Sequence, residues 1–281
     1  DFYVDHTCID CDTCRWMAPE VFHAVEDQSA VYHQPSTEAQ RLRALQALLS
    51  CPTSSIGTVA TPKDVKAVQA SFPIGVQAEE QGPVYHCGYH AESSYGAASY
   101  LIQREDGNIL VDSPRFSAPL VKRLEALGGV RYLYLTHRDD VADHEKFHHH
   151  FGCDRILHRD DLRASTQAIE MPLTGSDPVA LAPDLLIIPV PGHTKGHTVL
   201  LFNNTFLFSG DHLAWSDEWQ HLIAFRRACW YSWTEQINSM QQLANYDFEW
   251  VLPGHGRRYQ GDRDTMRQQM QQCIAWMKAA A

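Results

Sequence analysis

The sequence predicts a mixed α/β protein in which a small α+β domain precedes a larger, layered α/β domain. Four of the eight cysteines fall before residue 52, and residues 1–80 carry 11 acidic against 5 basic side chains, so the N-terminal quarter differs from the rest in composition. From Val84 onward, strand patterns alternate with helical patterns, which is typical of α/β domains. With 281 residues, 44% of them hydrophobic, the chain can bury a substantial core. We expect domains at 1–78 and 79–281, joined by a linker rich in proline and glycine at 73–83.

Residue periodicity and turn residues predict the individual elements. In the small domain, Ser36 or Thr37 can cap a helix, and a second helix begins near Thr61. The apolar stripe of the first helix consists of Leu42, Leu45, Leu48 and Leu49. In the large domain we predict strands at 98–102, 108–111, 130–135, 185–190, 198–203, 205–208 and 250–252, and helices at 119–127, 143–151, 232–246 and 262–277. Asn203 and Asn204 tolerate positive φ, so the strands that flank them should form an antiparallel hairpin.

Composition narrows the possible partners and locations. The chain has 23 basic and 34 acidic residues, a net charge of −11, which argues against a nucleic-acid partner. Its longest apolar runs are strand-sized, and its N-terminus has no signal-peptide pattern, so we expect no membrane segment. We expect a cytoplasmic protein, or one in another reducing compartment such as a plastid stroma. Because the chain starts at Asp1, a removed targeting segment remains open.

The early cysteines have the spacing of an iron-sulfur ligand set. Cys8, Cys11 and Cys14 form a C-x2-C-x2-C run, and Cys51 precedes a proline. Three thiolates at this spacing can wrap one face of a cubane cluster, and a distant fourth can close it. Structural zinc usually takes two C-x2-C pairs, and a disulfide framework belongs to small secreted domains, so both alternatives fit less well. The remaining cysteines are most simply buried small apolar residues.

Residues 1–75 resemble the single-cluster bacterial ferredoxins. The resemblance includes the cysteine run, the segment Ala18-Pro-Glu-Val-Phe22 and Cys51-Pro-Thr-Ser-Ser-Ile56. It implies one 4Fe-4S cluster, bound by Cys8, Cys11, Cys14 and Cys51, that carries one electron.

A second cluster of ligand-type residues follows the predicted strand at 130–135. His137, Asp139, Asp140, Asp143 and His144 fall within eight positions, and imidazole with carboxylate suits a divalent transition metal. Alone, the run could equally be a polar loop in which Asp143 caps a helix.

Three later strand ends favour the metal site. His193 follows strand 185–190, Asp211 follows 205–208, and His255 follows 250–252, each beside a glycine that lets the backbone turn. Such residues at the ends of several strands should converge on one crevice.

The order of these motifs resembles the metallo-β-lactamase fold superfamily over residues 84–281. The resemblance implies a four-layer αβ/βα sandwich and carries ligand roles to matching positions. His137 and His193 would bind a first metal, Asp143, His144 and His255 a second, and Asp211 would bridge them, with Asp112 as the structural aspartate behind the site.

The segment from Arg138 to Ala142 departs from that family's motif. A carboxylate, Asp139, stands where the family has its second histidine, and two extra residues precede Asp143. Either Asp139 or Asp140 supplies an oxygen ligand, or the loop bulges away. Oxygen in place of nitrogen favours harder ions such as iron or manganese. The flavodiiron branch of the superfamily has a glutamate at this position, although this chain has no flavodoxin-like domain.

Other polar and aromatic residues carry weaker signals. His148, His149 and His150 fit a solvated helix face; His197 and His212 could support the ligands or be strand-end polar groups; His86 and His90 could line the crevice or lie in an exposed loop. The aromatic residues from Trp215 to Trp233 fit core and lid packing.

The resemblances together imply a metalloenzyme with two kinds of cofactor. We expect one 4Fe-4S cluster and one or two divalent ions, zinc or iron or possibly manganese. The leading hypothesis is metal-dependent hydrolysis of a small ester, thioester or lactone, with Asp211 positioning a hydroxide and the cluster serving redox sensing, electron transfer or docking. One alternative is an oxidoreductase in which the cluster feeds electrons to a mono- or di-iron centre; another is a non-catalytic electron carrier or assembly factor. A small-molecule substrate, and a redox protein at the iron-sulfur domain, are the expected partners.

Overall fold

The computed structural model describes residues 1–77 and 82–279, which form two compact units. The first unit comprises Asp1–Leu133 and Val141–Cys153, and the second comprises Tyr134–Asp140 and Asp154–Ala281. The domain boundary predicted near residue 78 lies outside the described residues and stays a prediction. None of the helices in the described ranges has the length and apolarity needed to cross a bilayer.

The first unit contains the predicted small domain and the first strands of the large one. Its elements are β1 (Phe2–Val4), α1 (Thr13–Met17), β2 (Phe22–Val25), β3 (Gln28–Val31), α2 (Glu38–Ser50), β4 (Ile56–Thr58), α3 (Val65–Ala70), β5 (Ile74–Gly75), β6 (Val84–His86), β7 (Tyr100–Ile102), β8 (Ile109–Val111), α4 (Ala118–Ala126), β9 (Tyr132–Tyr134, whose last residue belongs to the second unit) and α5 (His144–Phe151). Strand β1 pairs with β4, β2 pairs with β3, and β5 to β8 form consecutive antiparallel neighbours.

Helix α2 begins and packs partly as its sequence predicts. The Thr37 hydroxyl accepts the Gln40 amide at 3.2 Å, which satisfies one of the free N–H groups of the first turn. Leu45 is buried, but Leu42 is 41% exposed, and Ala44 and Ala47 take buried positions instead. The predicted stripe is therefore wrong at Leu42, because small side chains allow the helix to approach its neighbours on a different face.

The second unit is built on a six-stranded sheet. Its elements are β10 (Asp154–His158), β11 (Met171–Leu173), β12 (Val179–Ala182), β13 (Leu185–Pro189), β14 (Thr198–Phe202), β15 (Phe206–Gly210), β16 (Ala214–Ser216), β17 (His221–Ile223), α6 (Trp233–Leu243), β18 (Trp250–Pro253), β19 (Tyr259–Gln260) and α7 (Arg263–Ala279). The sheet order is β12-β13-β14-β15-β18-β19, and its core includes Leu201, Leu207, Met240, Val251 and Met270.

Sheet topology brings three strand ends to the same edge. Strand β14 is antiparallel to both β13 and β15, and β15 is parallel to β18, so β13, β15 and β18 run in one direction. The predicted hairpin between β14 and β15 is confirmed: Asn203 and Asn204 have φ of 54° and 49°, and Phe202 pairs with Phe206. The loops that carry His193, Asp211 and His255 therefore leave the sheet at its common carboxyl edge.

Candidate metal centre and iron-sulfur site

The four cysteines predicted to bind the cluster lie in the first unit on three short segments. Cys8 and Cys11 precede α1, Cys14 lies in it, and Cys51 follows the last residue of α2; all four are free thiols. Polar groups point at three of the sulfurs. The Ser29 amide donates to Cys8 Sγ at 3.5 Å, and the hydroxyls of Thr13 and Thr53 lie 3.4 Å and 3.7 Å from the sulfurs of Cys11 and Cys51.

The cysteines also influence one another electrostatically, as the ligands of one cluster should. Burial raises the pKa of Cys11, and neighbouring Cys51 and Cys8 raise it further. Burial raises the pKa of Cys14 to about 12, and Cys11 and Cys51 add to this effect. The thiols of Cys11 and Cys14 thus lie close enough to the other cysteines to fit a shared cubane cluster, whose iron would keep the ligands as thiolates.

The metal-ligand candidates of the second unit come from four loops. His137 follows β9, and His193, Asp211 and His255 follow β13, β15 and β18. The Nε2 atoms of His137 and His193 each lie 3.7 Å from Asp211 Oδ2, and that of His255 lies 3.9 Å from the same oxygen. One carboxylate thus faces three imidazoles.

Asp139 and Asp140 both join this group of side chains. Asp139 Oδ2 lies 3.4 Å from His193 Nε2 and 3.8 Å from His137 Nε2. Within the described residues, the ligand atoms of His137, Asp139 and His193 lie within 4.8 Å of one another, as do those of His137, Asp140 and Asp211. The loop does not bulge away, and it offers two overlapping positions for a cation.

The distances and the burial of these atoms fit divalent ions. Two ligands, each about 2.1 Å from a tetrahedral ion, lie about 3.4 Å apart, which is longer than a good hydrogen bond but close to the separations observed. His137 Nε2, both ring nitrogens of His193 and Asp211 Oδ1 are buried and have no hydrogen-bond partner in the part of the chain that the structure describes. Because buried polar atoms rarely lack partners, this arrangement fits a cation that would bind His137 Nε2, one ring nitrogen of His193 and Asp211.

The electrostatics of the site keep the ligands in metal-binding form. Burial lowers the pKa of His137 to about 4, so its ring is neutral near pH 7. Burial alone would raise the pKa of Asp211, but the nearby rings of His255, His137 and His193, when protonated, outweigh burial and lower that pKa. Neutral imidazole beside ionised carboxylate is the state that binds a metal without first losing protons.

The other predicted ligands belong to the first unit. Asp143 directly precedes α5 without capping it through its side chain; its carboxylate accepts the Phe116 amide at 2.7 Å and pairs with Lys146 Nζ at 2.8 Å. His144 is buried, and its amide donates to Val141 O. Asp112 is also buried, with φ of 55°. The ligand roles of Asp143, His144 and His255 stay predictions.

Two further residues support the candidate ligands: His197, whose role the sequence left open, and Asp161, which the sequence analysis did not identify. His197 Nε2 accepts the amide of Asp211 at 3.2 Å, so this histidine orients a candidate ligand. Asp161 is fully buried and accepts from Arg138 N at 3.1 Å, Thr194 Oγ1 at 2.5 Å and Gly196 N at 2.9 Å. It thereby ties the loop after His137 to the loop after His193. The only signal for Asp161 was its place shortly after an apolar run, 156–157, too short to read as a strand.

Two glycines let these loops approach closely. A Cβ on Gly210, which has φ of 49°, would lie 2.5 Å from Thr136 Oγ1 and 2.9 Å from His197 Nε2. A Cβ on Gly254 would lie 2.8 Å from Asp140 Oδ2 and 3.0 Å from Asp211 Oδ1. The glycines found beside the predicted ligands therefore serve close packing around the site.

An open cavity of about 460 Å³ shares residues with the back of this site. It is lined by His158, Arg159, Thr174, Ser176, Lys195, His197, Tyr231 and Glu235, among others. The amides of Trp230 and Tyr231 donate to His193 O at 2.8 Å and 3.1 Å. Trp230 is 60% exposed, and its ring lies edge-on to that of His193 with centroids 6.2 Å apart. The segment that carries these aromatic residues is thus anchored directly to a candidate ligand.

Comparison with known proteins agrees with both parts of the chain. Residues 4–58 match the family model described as the 4Fe-4S single cluster domain of Ferredoxin I. A search of the curated proteins found no match. Among solved structures, the metallo-β-lactamase FIM-1 from Pseudomonas aeruginosa in its mono-zinc form has a TM-score of 0.54 at 17% identity, covering 71% of this chain and 94% of its own. The B3 metallo-β-lactamase BLEG-1 has a TM-score of 0.53 at 15% identity, and the match covers 69% of this chain and 99% of BLEG-1. A metallo-β-lactamase from Hirschia baltica has a TM-score of 0.51 at 17% identity, and the match covers 64% of this chain and 85% of that protein.

These matches confirm the fold predicted from the sequence. The identities are too low to show more than the fold, whereas the family model identifies the N-terminal module directly. The chain joins a ferredoxin-type 4Fe-4S domain to a metallo-β-lactamase fold.

Proposed function

We propose that this protein is a metal-dependent hydrolase of a small ester, thioester or lactone. The observation that carries the proposal is Asp211, whose Oδ2 faces the Nε2 atoms of His137, His193 and His255 at 3.7 to 3.9 Å. Solved structures of the same fold are named as metallo-β-lactamases, which supports a hydrolytic reaction.

Each side chain of the site has a role in this proposal. His137, Asp139 and His193 would hold one ion. Asp140 and Asp211 would hold a second, at a position that shares His137 and that His255 faces through Asp211. Ions bound there would supply the Lewis acidity that makes water nucleophilic near neutral pH and polarises a substrate carbonyl. The Asp211 carboxylate, ionised because its pKa is lowered, orients the attacking water and accepts its proton.

Residues around the site suit the binding of a small organic molecule. Trp230 offers an exposed aromatic face beside His193. The adjoining cavity is lined by the aromatic ring of Tyr231 together with the cationic side chains of Lys195 and Arg159. A cavity of about 460 Å³ falls in the range of small-molecule sites.

A panel of chromogenic esters, thioesters and lactones, assayed on the full chain reconstituted with zinc or iron, tests the proposal. We expect turnover that depends on the added ion, and a fall of at least about 100-fold in kcat for Asp211→Asn. Asp217→Asn is a suitable control, because Asp217 is an acidic residue of the same unit whose carboxylate pairs with Arg257 on the surface. Turnover that survives in Asp211→Asn would contradict the proposal.

A second candidate is an oxidoreductase in which the cluster supplies electrons to iron in the second unit. Asp139 favours it, because its carboxylate approaches both His137 and His193, and a donor set of two imidazoles with carboxylates suits iron. In this case the protein loaded with iron would reoxidise its reduced cluster faster in the presence of an oxidising substrate such as dioxygen or nitric oxide. The same experiment with zinc in the site would remove that acceleration. Hydrolysis at equal rates with the cluster reduced or oxidised would favour the first proposal.

A further inference from the structure

Two buried histidines lie next to the cluster ligands in the first unit. His86 ends β6 and His90 follows it by four residues; both are 1% exposed or less. Their Nε2 atoms lie 2.8 Å apart, and His90 Nδ1 lies 2.6 Å from Gly96 O and 3.0 Å from Thr13 Oγ1. Thr13 Oγ1 in turn lies 3.4 Å from the sulfur of Cys11. A continuous chain of polar contacts therefore joins His86 to a cluster cysteine.

Two groups in this series of hydrogen bonds, Gly96 O and the iron-bound sulfur of Cys11, can only accept, and they fix the direction in which the other groups donate. A carbonyl oxygen only accepts, so His90 Nδ1 carries the proton and donates to Gly96 O and towards Thr13. A neutral His90 ring then presents its Nε2 lone pair, and His86 must donate to it. A cysteine bound to iron is a thiolate and also only accepts, so the Thr13 hydroxyl donates to Cys11. The Thr13 hydroxyl could also donate to Gly96 O, but that oxygen is neutral and 3.4 Å is long for a hydrogen bond between two oxygens. The charged sulfur is therefore the better acceptor.

Neighbouring side chains pack around the hydrogen-bonded residues His86, His90 and Thr13 and hold them in place. The Trp16 ring lies against His86 and His90, with centroids 5.0 Å and 6.1 Å away. The Tyr95 hydroxyl donates to Ile9 O at 2.5 Å. Gly96 has φ of 82°, and a Cβ at that position would lie 2.8 Å from Cys11 Cβ. The segment that follows β6 is thus pressed onto the loop that carries Cys11, and no larger residue than glycine fits at the point of contact.

We propose that His86, His90 and Thr13 form a directed hydrogen-bond relay that sets the reduction potential of the iron-sulfur cluster. Reduction adds one negative charge to the cluster, and a donor aimed at a ligating sulfur stabilises that added charge. Each histidine strengthens the next donor by polarising it, so the Thr13 hydroxyl is a stronger donor than an isolated threonine. His86 and His90 lie outside the segment at 4–58 that matches the ferredoxin model, so the cluster is tuned by residues beyond its own module.

Redox titration of the full-length protein, followed by electron paramagnetic resonance, tests the relay. Iron and sulfide content would establish that each variant carries the same cluster. We expect Thr13→Val to lower the equilibrium constant for reduction by about tenfold, which is about 59 mV for one electron. Thr13→Ser keeps the hydroxyl and should restore the wild-type potential. His90→Leu should lower the potential less than Thr13→Val does, while His90→Asn, whose amide can replace the Nδ1 donor, should not.

A double variant and a matched threonine distinguish the relay from a general effect on packing. Because His90 acts through Thr13, adding His90→Leu to Thr13→Val should shift the potential no further. Thr53→Val is the control, since the Thr53 hydroxyl lies 3.7 Å from Cys51 but also contacts Ser55 rather than a histidine. If Thr13→Val does not retain its cluster, the serine variant and the His90 pair carry the comparison. The proposal is overturned if Thr13→Val leaves the potential unchanged, if Thr53→Val shifts it as much, or if the shifts from Thr13→Val and His90→Leu add.

Discussion

Replacing Gly254 by alanine should disturb the candidate metal centre without disturbing the backbone. The new Cβ would lie 2.8 Å from Asp140 Oδ2 and 3.0 Å from Asp211 Oδ1, whereas ordinary contacts begin near 3.4 Å. One carboxylate must therefore move by about 0.6 Å and the other by about 0.4 Å. The φ of Gly254 lies outside the left-handed region, so the effect of the methyl group is steric alone.

The size of the effect follows from these displacements. Crowding a packed site by one methyl group costs about 1–3 kcal/mol. A misplaced ligand lowers metal affinity by about 10- to 100-fold, and catalysis that depends on exact placement falls by a similar factor. We therefore expect weaker metal binding in Gly254→Ala, and a metal-free protein that still unfolds cooperatively.

Competition with a chromogenic chelator would measure the affinity, and a thermal melt of the metal-free protein would report the fold. Gly261→Ala is the matched control, because Gly261 also has ordinary φ and the nearest atoms to its Cβ would be side-chain atoms of Thr265 and Tyr259 at 3.2 to 3.4 Å. Equal metal affinity in Gly254→Ala, Gly261→Ala and wild type would refute the placement of Asp140 and Asp211 at one centre.

Three further predictions concern other charged groups. Asp139→His replaces an oxygen ligand by nitrogen and should raise the preference for zinc over iron by about tenfold in a metal-competition assay. An unchanged preference would show that Asp139 does not bind the metal. Asp161→Ala leaves two buried donors and one partly buried donor without their acceptor, and should lower the free energy of unfolding, measured in urea, by about 3 kcal/mol. Asp160→Ala, at an exposed neighbour, is the control, and equal stability of the two variants would contradict this role. Glu170 has a pKa lowered to about 2, because its hydrogen bonds and ion pair with Arg155 outweigh the opposing effect of burial. This ion pair should therefore stabilise the fold above pH 4.5, and its contribution of about 1 kcal/mol should be lost as the pH falls towards 2. The free energy of unfolding of Glu170→Gln should vary less over that range. Identical pH profiles of the variant and the wild type would argue against the pair.

The sequence predicted best the features that depend on local pattern. The hairpin at Asn203-Asn204 follows from two residues that accept positive φ between two apolar strands, and the structure confirms it. The strand ends that carry His193, Asp211 and His255 were equally visible, because each apolar run stops at a glycine-containing turn. Both kinds of signal lie within a few neighbouring residues.

The features that depend on distant contacts were not predicted. Strands β11 and β12 are short and largely solvent-exposed, and β11 contains Pro172, so neither gives a clear alternation. Asp161 gains its role only when Arg138, Thr194 and Gly196 meet it in space. Spacing alone also left open whether the carboxylate at Asp139 reaches the site, since two inserted residues could have moved it in either direction.

Tertiary contacts also altered the roles suggested by helix patterns. Asp143 has the position of a helix cap, yet its carboxylate accepts from the Phe116 amide and pairs with Lys146 one turn later, while its role as a metal ligand stays a prediction. Leu42 belongs to the apolar stripe of α2 by spacing but is exposed, because Ala44 and Ala47 lie on the packed face. In both cases a neighbour that is remote or small decides the outcome.

Anomalous scattering from crystals of the full chain, recorded at the iron and zinc edges, tests the account of both cofactor sites most directly. We expect four irons among Cys8, Cys11, Cys14 and Cys51. We also expect a separate metal peak bounded by His137, Asp139, His193 and Asp211. Iron at the cysteines with no metal peak among those four side chains, in crystals grown with zinc and iron present, would contradict the proposed metal centre.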